Sequence, residues 1–214
     1  MHPVKPPENR LILDLIRHGE PEGGVMYRGS KDDPLSETGW QQMRHAIALA
    51  QADGQGWDRI ISSPMQRCRA FAEMLAQQLS LEIEIVEELR EMHFGDLEGL
   101  KPEAAWAAHP ELLKSIWSDP ENNAPPNGEN FREFVDRVAK GLFRVIHAHD
   151  NQRLLIVAHG GVIRASLRQF LHMNGSDTFR IDIPYANMTR FRVFKHADRA
   201  PDIALGFING YRGA

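Results

Sequence analysis

Residues 11–20 read LILDLIRHGE, a short apolar run that ends at an arginine, a histidine and a glycine. The run has the length of a strand, and mostly apolar strands are typical of a parallel sheet that is covered on both faces. Two further stretches have the same design, WDRIIS at 57–62 and LLIVAHGG at 154–161. Ligands of open α/β sheets bind at the carboxyl ends of the strands. We therefore expect the polar residues that end these three strands to lie together.

Segments of helical period separate the three strands. Ser36 is the predicted cap of one helix, and Ser63 with Pro64 is predicted to begin a second. Longer amphipathic helices are predicted over residues 129–149 and 161–172. This alternation predicts an α/β fold, a three-layer α/β/α sandwich with a mostly parallel central sheet. We expect one domain over residues 1–214, with a small cap-like insertion around residues 100–128.

Charge and cysteine content exclude several classes of protein. The 214 residues include 25 Lys and Arg against 29 Asp and Glu, a net charge of −4, so the basic excess of a nucleic-acid-binding protein is missing. Residues 1–10 are rich in proline and the apolar run at 11–16 is short, which predicts neither a signal peptide nor a membrane partner. The single cysteine, Cys68, excludes an intrachain disulfide and favours a reducing compartment. We therefore predict a cytoplasmic protein.

A third polar strand end reads SSPMQR at 62–67. It places Arg67 in the first turn of a predicted helix, and both helix N-termini and guanidinium groups favour phosphate. Taken alone, Arg67 is equally well interpreted as a solvated surface side chain. His18 and His159, however, each end a buried strand and precede a glycine, so three strand ends share one topology. Together they predict an anion site at the edge of the sheet.

These motifs resemble those of the histidine phosphatase superfamily, in its phosphoglycerate mutase-like branch, and are most similar to those of the α-ribazole phosphatase-like proteins. The matching stretches occur in the expected order: LIRHGE at 15–20, YRG with DDPLSETG at 27–39, SSPMQR at 62–67, LREMHFGDLEG at 89–99, PPNGENF at 125–131 and VAHGGVIR at 157–164. The resemblance implies a phosphoglycerate mutase-like fold.

The resemblance implies that His18 is the nucleophile and becomes phosphorylated, while Arg17, Arg67 and His159 hold the transferred phosphoryl group. The chemistry agrees, because a phosphoryl group in transfer carries charge on its equatorial oxygens and is stabilised by fixed positive donors. A neutral imidazole can attack through one nitrogen while a backbone carbonyl holds the other. No metal and no other cofactor is expected for this route.

The leaving oxygen needs a proton, and the resemblance places the acid at Glu91, four residues before Gly95. Glu98 in the same stretch is the alternative. The acid must be protonated when it donates, and the negative charge of a bound phosphate favours that form.

The expected rim of the site includes Glu20, Arg28 and Gly160. Many members of the family carry an asparagine where this chain has Gly24, and Arg28 is the predicted replacement for that phosphate contact.

The expected function is a histidine acid-type phosphatase, a metal-independent phosphomonoesterase that hydrolyses a small phosphorylated metabolite. A phosphoglycerate mutase, a phosphoprotein phosphatase and a non-catalytic phosphate-binding domain are the alternatives. Mutases of this family carry a double-arginine segment where residues 119–130 read DPENNAPPNGEN, which favours a phosphatase. The protein is a possible homo-oligomer.

Overall fold

The computed structural model of the chain describes residues 9–211, so the prediction of no signal peptide at the N-terminus falls mainly outside the described residues. One six-stranded sheet has the order β3-β2-β4-β1-β5-β6. The strands are β1 (Asn9–Arg17), β2 (Arg59–Ser62), β3 (Ile83–Ile85), β4 (Arg153–Ala158), β5 (Met188–Lys195) and β6 (Asp202–Gly210). The first four strands pair in parallel, and β5 is antiparallel to both of its neighbours. The predicted mostly parallel sheet is confirmed.

In the part of the chain that the structure describes, seven α-helices connect or follow the strands. They are α1 (Glu37–Ala52), α2 (Gln66–Leu79), α3 (Pro102–Ala108), α4 (Pro110–Ser118), α5 (Phe131–Ala148), α6 (Gly160–Leu171) and α7 (Gly175–Phe179). As predicted, Ser36 caps α1, because its hydroxyl accepts a hydrogen bond from the Gly39 amide at 3.0 Å. The predicted capping of α2 by Ser63 is wrong. That helix begins at Gln66 with no side-chain cap. The Ser63 hydroxyl accepts from the Met65 amide at 3.3 Å, before the helix, and contacts buried His159.

Side chains alternate between the two faces of the sheet, as the pleat requires. On one face, the odd-numbered leucines of β1 pack with α5 and α6 in a cluster that includes Leu13, Ile156 and Phe134. On the other face, Ile16 and Val157 pack with α1 and α2. This division confirms the three-layer α/β/α sandwich.

Asp14 interrupts the apolar sequence of β1 and is fully buried. Its carboxylate accepts two hydrogen bonds from the Arg190 guanidinium, at 2.6 and 2.8 Å, and one from the Trp57 indole at 2.9 Å. A buried carboxylate is costly without such partners. Asp14 therefore ties β1 to β5 and to the chain entering β2.

The short helices α3 and α4 lie in the predicted cap-like insertion. They have a small hydrophobic cluster of their own, built from Leu97, Ala105, Leu113 and Ile116. The assignment of the whole chain to one domain stays a prediction. Within residues 9–211, no helix combines the length and apolar character needed to cross a membrane.

Two glycines bring the start of α1 against the turn after β1. A Cβ atom on Gly39 would lie 2.0 Å from the carbonyl oxygen of Glu20, and one on Gly19 would lie 2.2 Å from the carbonyl oxygen of Gly39. The same Glu20 carbonyl accepts hydrogen bonds from the Ser36 amide and hydroxyl. This contact positions the turn that contains His18.

We expect Gly39→Ala to destabilise the protein by about 2 kcal/mol, the usual cost of overpacking. In a helix, alanine is more favourable than glycine by about 1 kcal/mol, so helix propensity alone would stabilise the variant. A loss of stability would therefore identify the backbone clash. Gly56→Ala is the matched control, since a Cβ atom there meets no atom within 4 Å. The urea midpoints of both variants measure the effect. Equal midpoints for the two variants would contradict the contact.

Candidate active site

Two histidines meet at the carboxyl ends of β1 and β4. In the parallel register Arg17 pairs with Ala158, and the His18 amide donates to the Ala158 carbonyl at 2.9 Å. His159 directly follows β4, and the two imidazole centroids are 5.2 Å apart with the rings inclined by 68°. Both side chains are buried. The structure thus brings together the two strand-end histidines that the sequence singled out.

The His18 ring is held with one nitrogen free. Nδ1 lies 2.7 Å from the Gly19 carbonyl oxygen, which can only accept, so we assign the proton to Nδ1 and the lone pair to Nε2. Burial lowers the pKa of His18 well below its ordinary value, and the charges of Arg67 and Arg17 lower it further. The imidazole is therefore neutral at neutral pH, as a nucleophile requires.

His159 lies behind His18 and is not part of the cavity wall. Its Nε2 is 2.8 Å from the Ser63 hydroxyl, and the Cys68 thiol is 3.6 Å from the same nitrogen. Burial, then Arg67, lowers the pKa of His159 well below its ordinary value. Burial raises the pKa of the Cys68 thiol, which donates to the Ala158 carbonyl at 3.3 Å.

Arginines and aromatic rings surround a cavity of about 190 Å³ next to His18. Arg67 donates to the carbonyls of Lys31 and Gly29, at 2.7 and 3.1 Å. Arg17 donates to the Ile183 carbonyl and lies 4.1 Å from the Tyr185 ring centroid. The cavity is lined by Arg17, His18, Met26, Tyr27, Arg28, Gly29, Arg67, Glu91, Met92, Phe94, Phe131, Gly160, Gly161, Arg164, Phe179 and Tyr185.

Arg164 is a cavity residue that sequence reasoning missed. It follows Gly160 by four residues on α6, and this spacing, which places both on one helix face, is the signal that could have found it. A Cβ atom on Gly160 would lie 3.4 Å from Arg164 Nη1 and from Arg17 Nε, so the glycine lets both guanidiniums approach. Burial and the charge of Arg17 lower the pKa of Arg164. Tyr185 was also missed, and no motif in the sequence marks it.

Donors remain available on these arginines. The Nε atoms of Arg17, Arg67 and Arg164 are buried, and none has a hydrogen-bond partner within residues 9–211. Buried donors are normally satisfied. Arg59, Arg153 and Arg192, which do not line the cavity, also have unpaired Nε atoms, so it is the gathering of three such arginines around one cavity that suits an anion.

The two candidate acids occupy different environments. Glu91 lines the cavity, where its carboxylate accepts from the amides of Gly161 at 3.2 Å and Met92 at 3.0 Å. Glu98 does not line it. Its carboxylate accepts from the amides of Ser30 and Phe94, at 2.8 and 3.0 Å, and from the Ser30 hydroxyl. The geometry therefore places Glu91, and not Glu98, where a substrate could be protonated.

Two predicted rim residues are placed differently from the expectation. Arg28 lines the cavity, but its donors are engaged by the Asp33 carboxylate at 2.9 Å and by the carbonyls of Gly24 and Glu22. It holds the rim loop together, so the structure offers no support for its predicted replacement of a phosphate contact. Glu20 does not line the cavity. Its backbone binds Gln42 and Ser36 at the start of α1, which fixes its position there.

Residues 9–211 hold no group of three or more His, Cys, Asp or Glu side chains that could bind a metal ion. His147, near the end of α5, has its Nδ1 in contact with the Phe143 carbonyl of its own helix.

Comparisons with known proteins agree with this arrangement. A sequence profile of the histidine phosphatase superfamily (branch 1) matches residues 13–203. The adenosylcobalamin/alpha-ribazole phosphatase of Salmonella typhimurium is 32% identical over 199 residues, 92% of this chain and 93% of that protein. The uncharacterized phosphatase PhoE of Bacillus subtilis is 33% identical over 157 residues, 72% of this chain and 75% of that protein.

Among solved structures, a mycobacterial glucosyl-3-phosphoglycerate phosphatase has a similar fold. It gives a TM-score of 0.81 at 23% identity, over 94% of this chain and 99% of that one. At this identity the similarity supports the fold alone.

The lowered pKa of His159 predicts a pH-dependent stability. Below pH 6.5 the unfolded chain protonates this histidine and the folded chain does not, so the unfolded state binds more protons. The free energy of unfolding should then fall as the pH drops, by up to about 1.4 kcal/mol per pH unit for each such histidine. Urea unfolding between pH 7.5 and 5 gives the free energy of unfolding at each pH. We expect this free energy to fall less steeply with decreasing pH in His159→Gln than in the wild type. The same pH dependence of the free energy of unfolding in both proteins would contradict a neutral, buried His159.

Proposed function

The chain belongs to the histidine phosphatase superfamily and is a hydrolase of that superfamily, and we propose that it hydrolyses a small phosphorylated metabolite through a phosphohistidine at His18. One observation carries the proposal. A neutral imidazole, with Nδ1 bound to a carbonyl and Nε2 free, borders a cavity whose arginines have unused donors. This combination suits attack on a phosphoryl group.

The first step would form a bond between His18 Nε2 and phosphorus and break the bond to the leaving oxygen. Arg17 and Arg67 would stabilise the negative charge that spreads over the equatorial oxygens. The leaving oxygen would take the proton of Glu91 and depart as an alcohol.

The second step would return the enzyme to its starting state. A water molecule would attack phosphorus and give its proton to the Glu91 carboxylate. The bond between phosphorus and Nε2 would break, releasing inorganic phosphate and a neutral His18.

The cavity supports a small substrate and water as the acceptor. Its volume of about 190 Å³ has room for a small organic phosphate. Part of its wall is aromatic, with edge-to-face contacts between Tyr27 and Phe94 and between Phe131 and Phe179. Such a wall suits an uncharged organic group better than the carboxylate of a phosphoglycerate. We also propose a cytoplasmic location, on the single cysteine.

The decisive experiment is to trap the phosphoenzyme. After brief incubation with a ³²P-labelled substrate and denaturation in alkali, we expect a base-stable, acid-labile label on the peptide that contains His18. His18→Ala should lose the label and nearly all turnover, because it lacks the attacking atom. His109→Ala, at an exposed histidine of the cap-like insertion, is the control.

Label on another residue only, or turnover by His18→Ala above a few per cent of the wild-type rate, would overturn the mechanism. Product analysis tests whether the phosphoryl group is transferred to water or back to a sugar acid. Isomerised 3-phosphoglycerate without free phosphate, in the presence of a bisphosphate primer, would identify a mutase.

Glu91→Gln should slow esters of poorly leaving alcohols by about 10²- to 10⁴-fold, the range for loss of a general acid. It should slow p-nitrophenyl phosphate much less, because that leaving group departs as a stable anion. The measured quantity is kcat/KM, which reports the steps up to phosphorylation and excludes the shared hydrolysis of the phosphoenzyme. Glu98→Gln is the matched control and should not change the ratio between the substrates. Equal losses on both substrates for Glu91→Gln would assign Glu91 to binding.

A further inference from the structure

Glu91 lies on a segment without regular secondary structure. It follows a single 3₁₀ turn at Glu87–Leu89 and precedes another at Gly95–Leu97. Buried Leu89 and Met92 anchor the chain on either side of Glu91 in the main core, but Glu91 itself belongs to no helix or strand. A proton donor must keep a defined distance to the leaving oxygen, and a misplacement of about 1 Å can cost about 100-fold in rate. Further contacts that fix the backbone next to Glu91 would therefore affect proton transfer.

Arg137 on α5 binds the backbone of that segment at three points. Its Nη1 donates to the carbonyl of Glu88 at 2.8 Å and to that of Arg90 at 3.2 Å. Its Nη2 donates to the carbonyl of Glu91 at 3.4 Å. One guanidinium thus contacts three of the four consecutive carbonyls that end at Glu91.

Arg137 is itself held in place. The Glu129 carboxylate accepts from Arg137 Nε at 3.0 Å and from Nη2 at 2.7 Å, a two-point ion pair. Its Cζ lies 5.1 Å from the Phe134 ring centroid, and the Glu129 amide donates to the His93 carbonyl at 2.9 Å. Glu129 therefore binds the guanidinium and the chain beyond Glu91. Only a planar fork with several donors can make all these contacts at once.

We propose that Arg137 is a positioning residue that holds the Glu91 carboxylate at the distance required for proton transfer to the leaving group. Arg137 does not line the cavity next to His18, although it borders a second cavity, of about 740 Å³, that Glu91 also lines. Its donors are engaged by the Glu129 carboxylate and by backbone carbonyls, so we assign it an action through Glu91. The inference rests on the proposed function, in which Glu91 is the acid.

Arg144 provides a matched control on the same helix. It lies two turns after Arg137 and also contacts the segment before Glu91, through two bonds to the Glu88 carboxylate at 2.7 and 2.9 Å. It binds a side chain, however, and none of the backbone carbonyls near Glu91. Its loss removes an arginine and an ion pair without releasing the acid.

The test compares kcat/KM for an alkyl phosphate and for p-nitrophenyl phosphate in Arg137→Met, Arg144→Met and the wild type. We expect Arg137→Met to slow the alkyl ester about 10- to 100-fold more than the aryl ester. Arg144→Met should keep the wild-type ratio between the substrates. In a Glu91→Gln background, Arg137→Met should not change that ratio further, because the group that it positions is already gone.

Arg137→Lys keeps the charge and protects the test against a folding failure of Arg137→Met. One ammonium cannot bind the Glu129 carboxylate and three carbonyls together. We therefore expect the ratio of kcat/KM between the aryl and the alkyl ester to lie between the ratios of the wild type and of Glu91→Gln. Suppose that Glu91→Gln slows the alkyl ester more than the aryl ester. The inference would then be overturned if the folded Arg137 variants kept the wild-type ratio of kcat/KM between the two esters, which is also the result of equal losses on both. If Glu91→Gln itself slows both esters equally, the failure lies in the proposed function.

Discussion

In the pairing of β1 with β4, the last residues of the two strands, Arg17 and Ala158, lie opposite each other, and a histidine directly follows each strand. On the other side of β4, Ser62 stands opposite Val157, so β2 ends at the same level. All the other parts of the site are arranged around this edge. A slip of one residue in either pairing would exchange the faces of a buried strand and separate the imidazoles. The two-sided core therefore selects the register, and the register assembles the site.

The site has to combine positive charge with a neutral nucleophile. Its arginines are oriented mostly by backbone carbonyls, as in the bonds from Arg67 to Gly29 and Lys31 and from Arg164 to Ile181. A carbonyl directs a guanidinium without cancelling its charge. Burial lowers the pKa of His18, the charges of Arg67 and Arg17 lower it further, and the imidazole so keeps its lone pair. Arg28, whose charge is balanced by Asp33, shows the alternative, an arginine used to brace a loop.

Sequence patterns could predict those features of the fold and of the site that depend on residues close together in the sequence. The strands, the cap at Ser36 and the strand-end histidines follow from periodicity and from residues a few positions apart. The prediction for Ser63 was wrong because α2 begins only at Gln66, and the Ser63 hydroxyl instead contacts the Met65 amide and His159, 96 residues away. Arg137 and Tyr185 contribute through contacts that exist only once α5 and the chain before β5 have packed, and no local pattern records them. The acid itself could be placed only through the family resemblance.

The single cysteine is buried under the site, where Cys68 contacts both His159 and the Ala158 carbonyl. Burial also raises the pKa of its thiol, so the folded protein offers almost no thiolate to an alkylating reagent. Labelling must then wait until α2 separates from β4. The rate of labelling at Cys68 thus measures how often the floor of the site opens, much as amide exchange reports local unfolding. The chain contains its own probe of native-state opening, at the point where its two histidines meet.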